Sequence, residues 1–88
     1  MKKLQYCVYV LLSQKDHNFY IGFSENLHQR LTDHIHGHSF ATSFRLPFAL
    51  IFCEYFLSKT AALRREKYFK TTAGKKALRI MLRESLDN

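Results

Sequence analysis

The run QYCVYVLL, Gln5 to Leu12, limits the fold more than any other stretch, because it is almost wholly apolar at odd and even positions alike and rich in Val and Tyr. A strand points alternate side chains to opposite faces, so a strand apolar on both must be covered on both. A chain of 88 residues has room for one such strand inside one small core. The run is therefore read as the central strand of a single domain, residues 1–88. The 47 % hydrophobic and 15 % aromatic content suffices for that core and argues against disorder.

The remaining elements follow from turn and cap signals. SQKDHN, Ser13 to Asn18, is a polar connection of hairpin size, and Phe19 to Phe23 follows with strand-forming residues, so the two segments are expected to pair antiparallel. Gly22, on the same face as Tyr20, marks a place in that strand where another group must come close. Ser24 or Asn26 can cap a helix whose row Leu27, Leu31, Ile35 is expected to face the core, with Asn26 and Gln29 resembling a capping box. Gly37 is a natural stop, and His36 to Pro47 reads as a loop holding the single proline. Ala49 to Leu57 reads as a third strand, apolar except at Glu54. Ser58 or Thr60 opens a second helix to about Lys70; TTAG, Thr71 to Gly74, breaks it before a third helix with Ala77, Leu78, Met81 and Leu82 on one face. The expected fold is α+β, order ββαβαα: a small, mainly antiparallel three-stranded sheet flanked by three helices.

Fourteen Lys+Arg against seven Asp+Glu give a net charge of +7, which favours a polyanionic partner, nucleic acid first. Nine of those cations and three of the anions fall between Ser58 and Asn88, so Lys59, Arg64, Lys67, Lys70, Lys75, Lys76, Arg79 and Arg83 are candidates for phosphate contacts. Cys7 and Cys53 lie in strand-like runs and are expected to be buried and reduced, which suits a cytoplasmic setting. No apolar run reaches the ~18 residues of a membrane span, and the N-terminus has no small-residue cleavage site, so it is read as a strand and not as a leader.

Some residues fit a purely structural account badly. Arg30 and His34, spaced i, i+4, should share one flank of the first helix about 60° from the leucine row; a solvated edge is the ordinary explanation. Glu66 is harder to dismiss. With Ala62, Leu63 and Phe69 at i−4, i−3 and i+3 it falls within an apolar face, where a carboxylate needs a salt bridge, hydrogen bonds or a metal ion. Tyr9 and Tyr20 occupy the two strands expected to pair, and packing alone would explain either. His34, His36 and His38 do not match a zinc-ligand spacing.

In order and spacing, YCVYVLLS, YIGFSENLHQRLTDH and TAALRREKYFK resemble the GIY-YIG nuclease superfamily, the fold of the excinuclease C-subunit N-terminal domain, over about Tyr6 to Leu82. The second motif is the literal tripeptide Tyr20-Ile21-Gly22; the first appears as Cys7-Val8-Tyr9, and Thr42, Pro47 and Leu50 extend the pattern. Phe23 stands where some members carry a lysine, and the asparagine that larger members place after the glutamate has no counterpart. The resemblance implies that Tyr9, Tyr20, Arg30, His34 and Glu66 are catalytic, with Glu66 carrying one Mg²⁺ or Mn²⁺. It further implies that Arg30 holds the scissile phosphate in a bidentate grip, that Gly22 leaves room for the phosphate backbone, and that a tyrosine, helped by His34, or His34 itself takes the proton from water. Gly22, Arg30, Arg45, Arg64, Lys67 and Lys70 are the candidate substrate contacts.

The expected activity is metal-dependent hydrolysis of DNA phosphodiester bonds, one strand per site, with low sequence specificity and some selectivity for DNA structure. DNA repair is the expected setting, DNA the expected partner with RNA open, and a monomer or weak dimer the expected state. The alternative is a non-catalytic nucleic-acid-binding module on the same fold. Retention of Tyr9, Tyr20, Arg30, His34 and Glu66 together separates the two, since a module that only grips phosphate has no use for a carboxylate in its groove.

Overall fold

The computed structural model describes residues 3–36 and 47–86. Strands β1 (Tyr6–Ser13) and β2 (Phe19–Ser24) form an antiparallel hairpin, followed by helix α1 (Leu27–Ile35), strand β3 (Phe48–Phe56) and helices α2 (Lys59–Phe69), α3 (Thr72–Met81) and the short α4 (Arg83–Leu86). The sheet order is β2-β1-β3, antiparallel throughout, with β1 in the centre as its apolar pattern requires. A bulge shifts the β1–β3 register between Val10 and Leu11. Among the described residues no helix is long and apolar enough to cross a membrane.

The alternation along β1 builds two cores. Val8 and Val10, with Phe19 and Ile21 of β2, pack against Ala62 and Phe69 of α2, Leu78 of α3 and Leu82 just after it. Cys7, Tyr9 and Leu11 face the other way and meet Tyr20, Leu27, Leu31 and Phe48. Arg79 and Arg65 lay their guanidinium groups over Phe19 and Phe69, at 4.5 and 4.3 Å from the ring centroids, so part of the positive charge serves packing.

Several expectations need correction. In α1 Leu27 and Leu31 face the sheet, but Ile35 is 65 % exposed and His34 only 1 %. At 3.6 residues per turn the i+7 position returns to within about 20° of residue i, whereas i+8 overshoots by about 80°. The buried stripe therefore runs Leu27, Leu31, His34, and His34 is a core residue and not a flank residue. Asn26 caps this helix by accepting from the Gln29 amide, while the Gln29 side chain turns to Asp33, so the capping box is half made. In α2 the buried stripe runs through Ala62 and Phe69, seven residues apart, and Leu63, about 100° around the helix from Ala62, is 41 % exposed. Cys53 is exposed and only Cys7 is buried; both thiols are free. The TTAG segment opens α3: Thr71 caps it by accepting from the Gly74 amide. Gly74 sits against the Tyr68 carbonyl, where a Cβ would collide with backbone and push α3 from α2. Gly37, His38, Thr42 and Arg45 lie outside the described residues.

Candidate active site

The register of the hairpin places Tyr9 opposite Gly22, with Tyr20 two residues earlier on the same face of β2. The Tyr9 ring leans across Gly22: a Cβ there would collide with the far end of the phenol ring and its oxygen. The space kept by Gly22, which the sequence reading assigned to a phosphate backbone, is thus occupied by the Tyr9 phenol. Helix α1 then brings His34 down onto the sheet, where Nε2 lies 3.0 Å from the Tyr9 hydroxyl.

Around this pair the aromatic rings close tightly. Tyr20 stands edge-on to His34 at 5.0 Å between centroids and tilted to Tyr9 at 6.4 Å. Phe48 packs against both His34 (6.2 Å) and Tyr20 (6.4 Å), so it belongs to the site wall. The third strand begins at Phe48, one residue before the Ala49 expected from the sequence, and Phe48 is not among the candidate site residues. The signal available was the aromatic just after Pro47, at the point where an extended segment begins. Phe23 faces the opposite side of the sheet, stacked on Tyr6 at 6.4 Å.

The electrostatics follow from burial and from one cation. Burial pushes the Tyr9 phenol above its ordinary value; the nearby Arg30 guanidinium pulls the other way, and Tyr20 and Glu66 add weakly to the rise. Arg30 is raised in turn, first by its interaction with Tyr9. Burial pushes the His34 imidazole below its ordinary value, Arg30 pushes it further, and Asp33 opposes them. His34 is therefore neutral at pH 7. In the tautomer protonated at Nδ1, Nε2 accepts the Tyr9 proton, and the phenol oxygen keeps its lone pairs for a further donor.

Glu66 stands on the flank of α2 nearer β2, the flank on which Lys59 reaches Glu25 at 3.3 Å. Its carboxylate is 19 % exposed and pairs at 3.3 Å with Lys70, whose own side chain is 55 % exposed. Among the described residues no three His, Cys, Asp or Glu side chains gather as a ready-made metal cage. One partly accessible carboxylate whose partner is a single exposed lysine fits Mg²⁺ or Mn²⁺, which keep several waters and take substrate oxygens as ligands. It does not fit a closed zinc site.

The structure thus brings together Tyr9, Tyr20, Gly22, Arg30 and His34, with Glu66 felt only as a weak charge on the Tyr9 phenol. Lys70 joins them through Glu66. Arg64 does not: at about 100° per residue it lies about 160° around α2 from Glu66, and it lines a recess beside Phe56. Lys67 is exposed on the arc between.

Comparison with known proteins agrees with this geometry. Residues 5–79 match the family model of the GIY-YIG catalytic domain. The chain belongs to the GIY-YIG family. The pairing of β1 with β2 sets Tyr9 and Tyr20, the tyrosines that the resemblance matches to the two motifs, side by side. The chain is 40 % identical over 63 residues to the UPF0213 protein YazA of Bacillus subtilis, covering 70 % of this chain and 64 %, just under two thirds, of YazA. It is 35 % identical over 79 residues to the UPF0213 protein NP_0776A of Natronomonas pharaonis, covering 89 % and 92 % of the two chains. Among solved structures it is similar to the solution NMR structure of the UPF0213 protein BH0048 from Bacillus halodurans, with a TM-score of 0.56 at 29 % identity over 86 % of this chain and 83 % of that one.

Proposed function

We propose that this GIY-YIG domain is an endonuclease that hydrolyses DNA one strand at a time, with a divalent cation bound through Glu66. The observation that carries the reading is the buried contact of the Tyr9 hydroxyl with His34 Nε2 at 3.0 Å beside the Arg30 guanidinium. A neutral phenol donating to a neutral imidazole is a proton relay in waiting. A water that reaches the Tyr9 oxygen, which is closed to solvent in this structure, attacks phosphorus as it gives its proton to that oxygen, and the phenol proton passes to His34 Nε2. The bond from phosphorus to the leaving oxygen breaks, and that oxygen takes a proton from solvent. Arg30, a planar fork that matches two phosphate oxygens, holds the substrate and offsets the growing negative charge. Mg²⁺ or Mn²⁺ on Glu66, when bound, supplies Lewis-acid neutralisation of phosphate and leaving oxygen.

Sequence preference should be low, because a domain of this size buries roughly 600–1,000 Å² on DNA, and phosphate contacts take most of it. Incubation of labelled single-stranded, duplex and branched DNA with Mg²⁺, Mn²⁺ or EDTA tests the reading. Cleavage in either metal and none in EDTA is expected. Salt-sensitive binding with no cleavage under any metal would assign the chain to the non-catalytic class instead.

A further inference from the structure

On the flank of α2 away from Glu66, Phe56, Ala61, Arg64, Arg65 and Tyr68 line an open recess of about 490 Å³. Its two arginines differ. Arg65 is held by Glu54, at 2.8 Å from Nε and 3.5 Å from Nη2, and its guanidinium lies 5.8 Å from the Tyr68 ring centroid. That ion pair balances its charge and fixes it as a wall. Arg64 makes no ion pair among the described residues, so its charge is available at the rim. Tyr68 is 41 % exposed. A partly exposed tyrosine ring beside a guanidinium with no ion pair among the described residues suits a planar base joined to a phosphate.

The recess is also connected to the site. Lys70, Lys67 and Arg64, spaced by three, are all exposed and advance about 60° per step around the outward side of α2. The row starts at Lys70, the partner of Glu66, and ends at the recess. A chain of phosphates leaving the site along this row arrives with a base at Tyr68.

We propose that the recess between α2 and β3 is a stacking subsite for an unpaired nucleotide of the substrate strand, reached from Glu66 along Lys70, Lys67 and Arg64. The proposal rests on the nucleic-acid reading above and narrows its substrate to DNA with a single-stranded flank. A paired base cannot present its face to Tyr68, so intact duplex gains nothing from the recess.

The test is binding of the full chain to a fluorescent single-stranded oligonucleotide and to a blunt duplex, both in EDTA so that cleavage plays no part. Tyr68→Ala should weaken single-strand binding about tenfold and leave duplex binding unchanged, while Tyr68→Phe keeps both. Arg64→Ala, on an exposed side chain, should reduce the salt slope of single-strand binding by about 0.7. An oligonucleotide carrying 5-iodouracil should photo-crosslink to Tyr68. Equal loss on both ligands, no loss in either variant, or crosslinks confined to other residues would overturn the subsite while leaving the nuclease reading intact. A change in sedimentation of Tyr68→Ala towards a smaller species would instead make the recess a contact between copies and overturn the subsite. A wild-type chain that binds neither ligand removes the nucleic-acid reading and the subsite with it.

Discussion

The Tyr9 hydroxyl and His34 Nε2 meet at 3.0 Å, both residues almost fully buried, over a glycine that leaves no room for any larger side chain. Burial drives both groups to their neutral forms: the phenol is pushed up and the imidazole down. An ionised Tyr9 is therefore scarce at neutral pH, and in the proposed mechanism the pair is a relay whose last acceptor is the imidazole.

The pH profile of cleavage follows from that pairing. The rate should rise as His34 loses its proton, with a midpoint below its ordinary value of about 6.5, and then stay flat from pH 7.5 to 9. Tyr9→Phe should lose roughly 10²-fold or more, and His34→Gln should remove the acid limb of the profile. A rate still climbing at pH 9 would show instead that the phenolate is the base.

The same shift makes a stability prediction that needs no activity. His34 has a folded pKa below its unfolded one, so between the two values the unfolded chain binds more protons and stability falls as pH falls. Relative to His34→Gln, the wild type should lose stability on going from pH 7 to about pH 5 and regain it on return. Urea unfolding at several pH values checks this; parallel curves for the two proteins would place the histidine in contact with water.

Much of this site was legible in the sequence, and the part that was not has a geometric cause. The two-faced apolar run at Gln5 to Leu12 implied a central strand, and a strand with neighbours on both sides leaves few ways to arrange 88 residues. The motif residues Tyr9, Tyr20, Arg30 and His34 do come together. The burial of His34 was misread because following i, i+4, i+8 steps accumulates helical drift that an i, i+7 step nearly cancels. Glu54 and Glu66 look alike as carboxylates in apolar runs. Only tertiary packing shows that Glu54 is held by Arg65 across two elements, whereas Glu66 is held by a lysine one turn along its own helix. The role of Gly22 is also tertiary, since nothing local shows that the Tyr9 ring leans over it.

Gly22→Ala tests that close approach. The added methyl would displace the Tyr9 phenol from His34, at an overpacking cost of about 1–3 kcal/mol, and cleavage should fall with it. The cost should shrink by more than half in a Tyr9→Leu background, where the end of the ring is absent. Denaturant unfolding of the four proteins completes the cycle; an unchanged cost would put the crowding elsewhere.

Arg30→Lys keeps the charge and removes the planar fork. If Arg30 grips two phosphate oxygens, the rate should fall by roughly 10²-fold while the melting temperature barely moves. An unaltered rate would take Arg30 out of the reaction and leave it as a charge acting on Tyr9 and His34.

Glu66 is where fold and chemistry can be separated most cleanly. Its ion pair with Lys70 joins neighbours on one helix, and with the lysine side chain 55 % exposed it contributes no more than about 1 kcal/mol. Glu66→Gln keeps the shape of the side chain and removes the charge, so the melting temperature should fall by no more than roughly 4–8 °C, the equivalent of that pair in a domain of this size. Cleavage in Mg²⁺ or Mn²⁺ should disappear. Water-proton relaxation in Mn²⁺ solutions gives a readout independent of activity: the wild type should enhance it, saturably, and Glu66→Gln should not. A folded variant that still binds Mn²⁺ like the wild type would take the cation away from Glu66 and leave its carboxylate as the partner of Lys70.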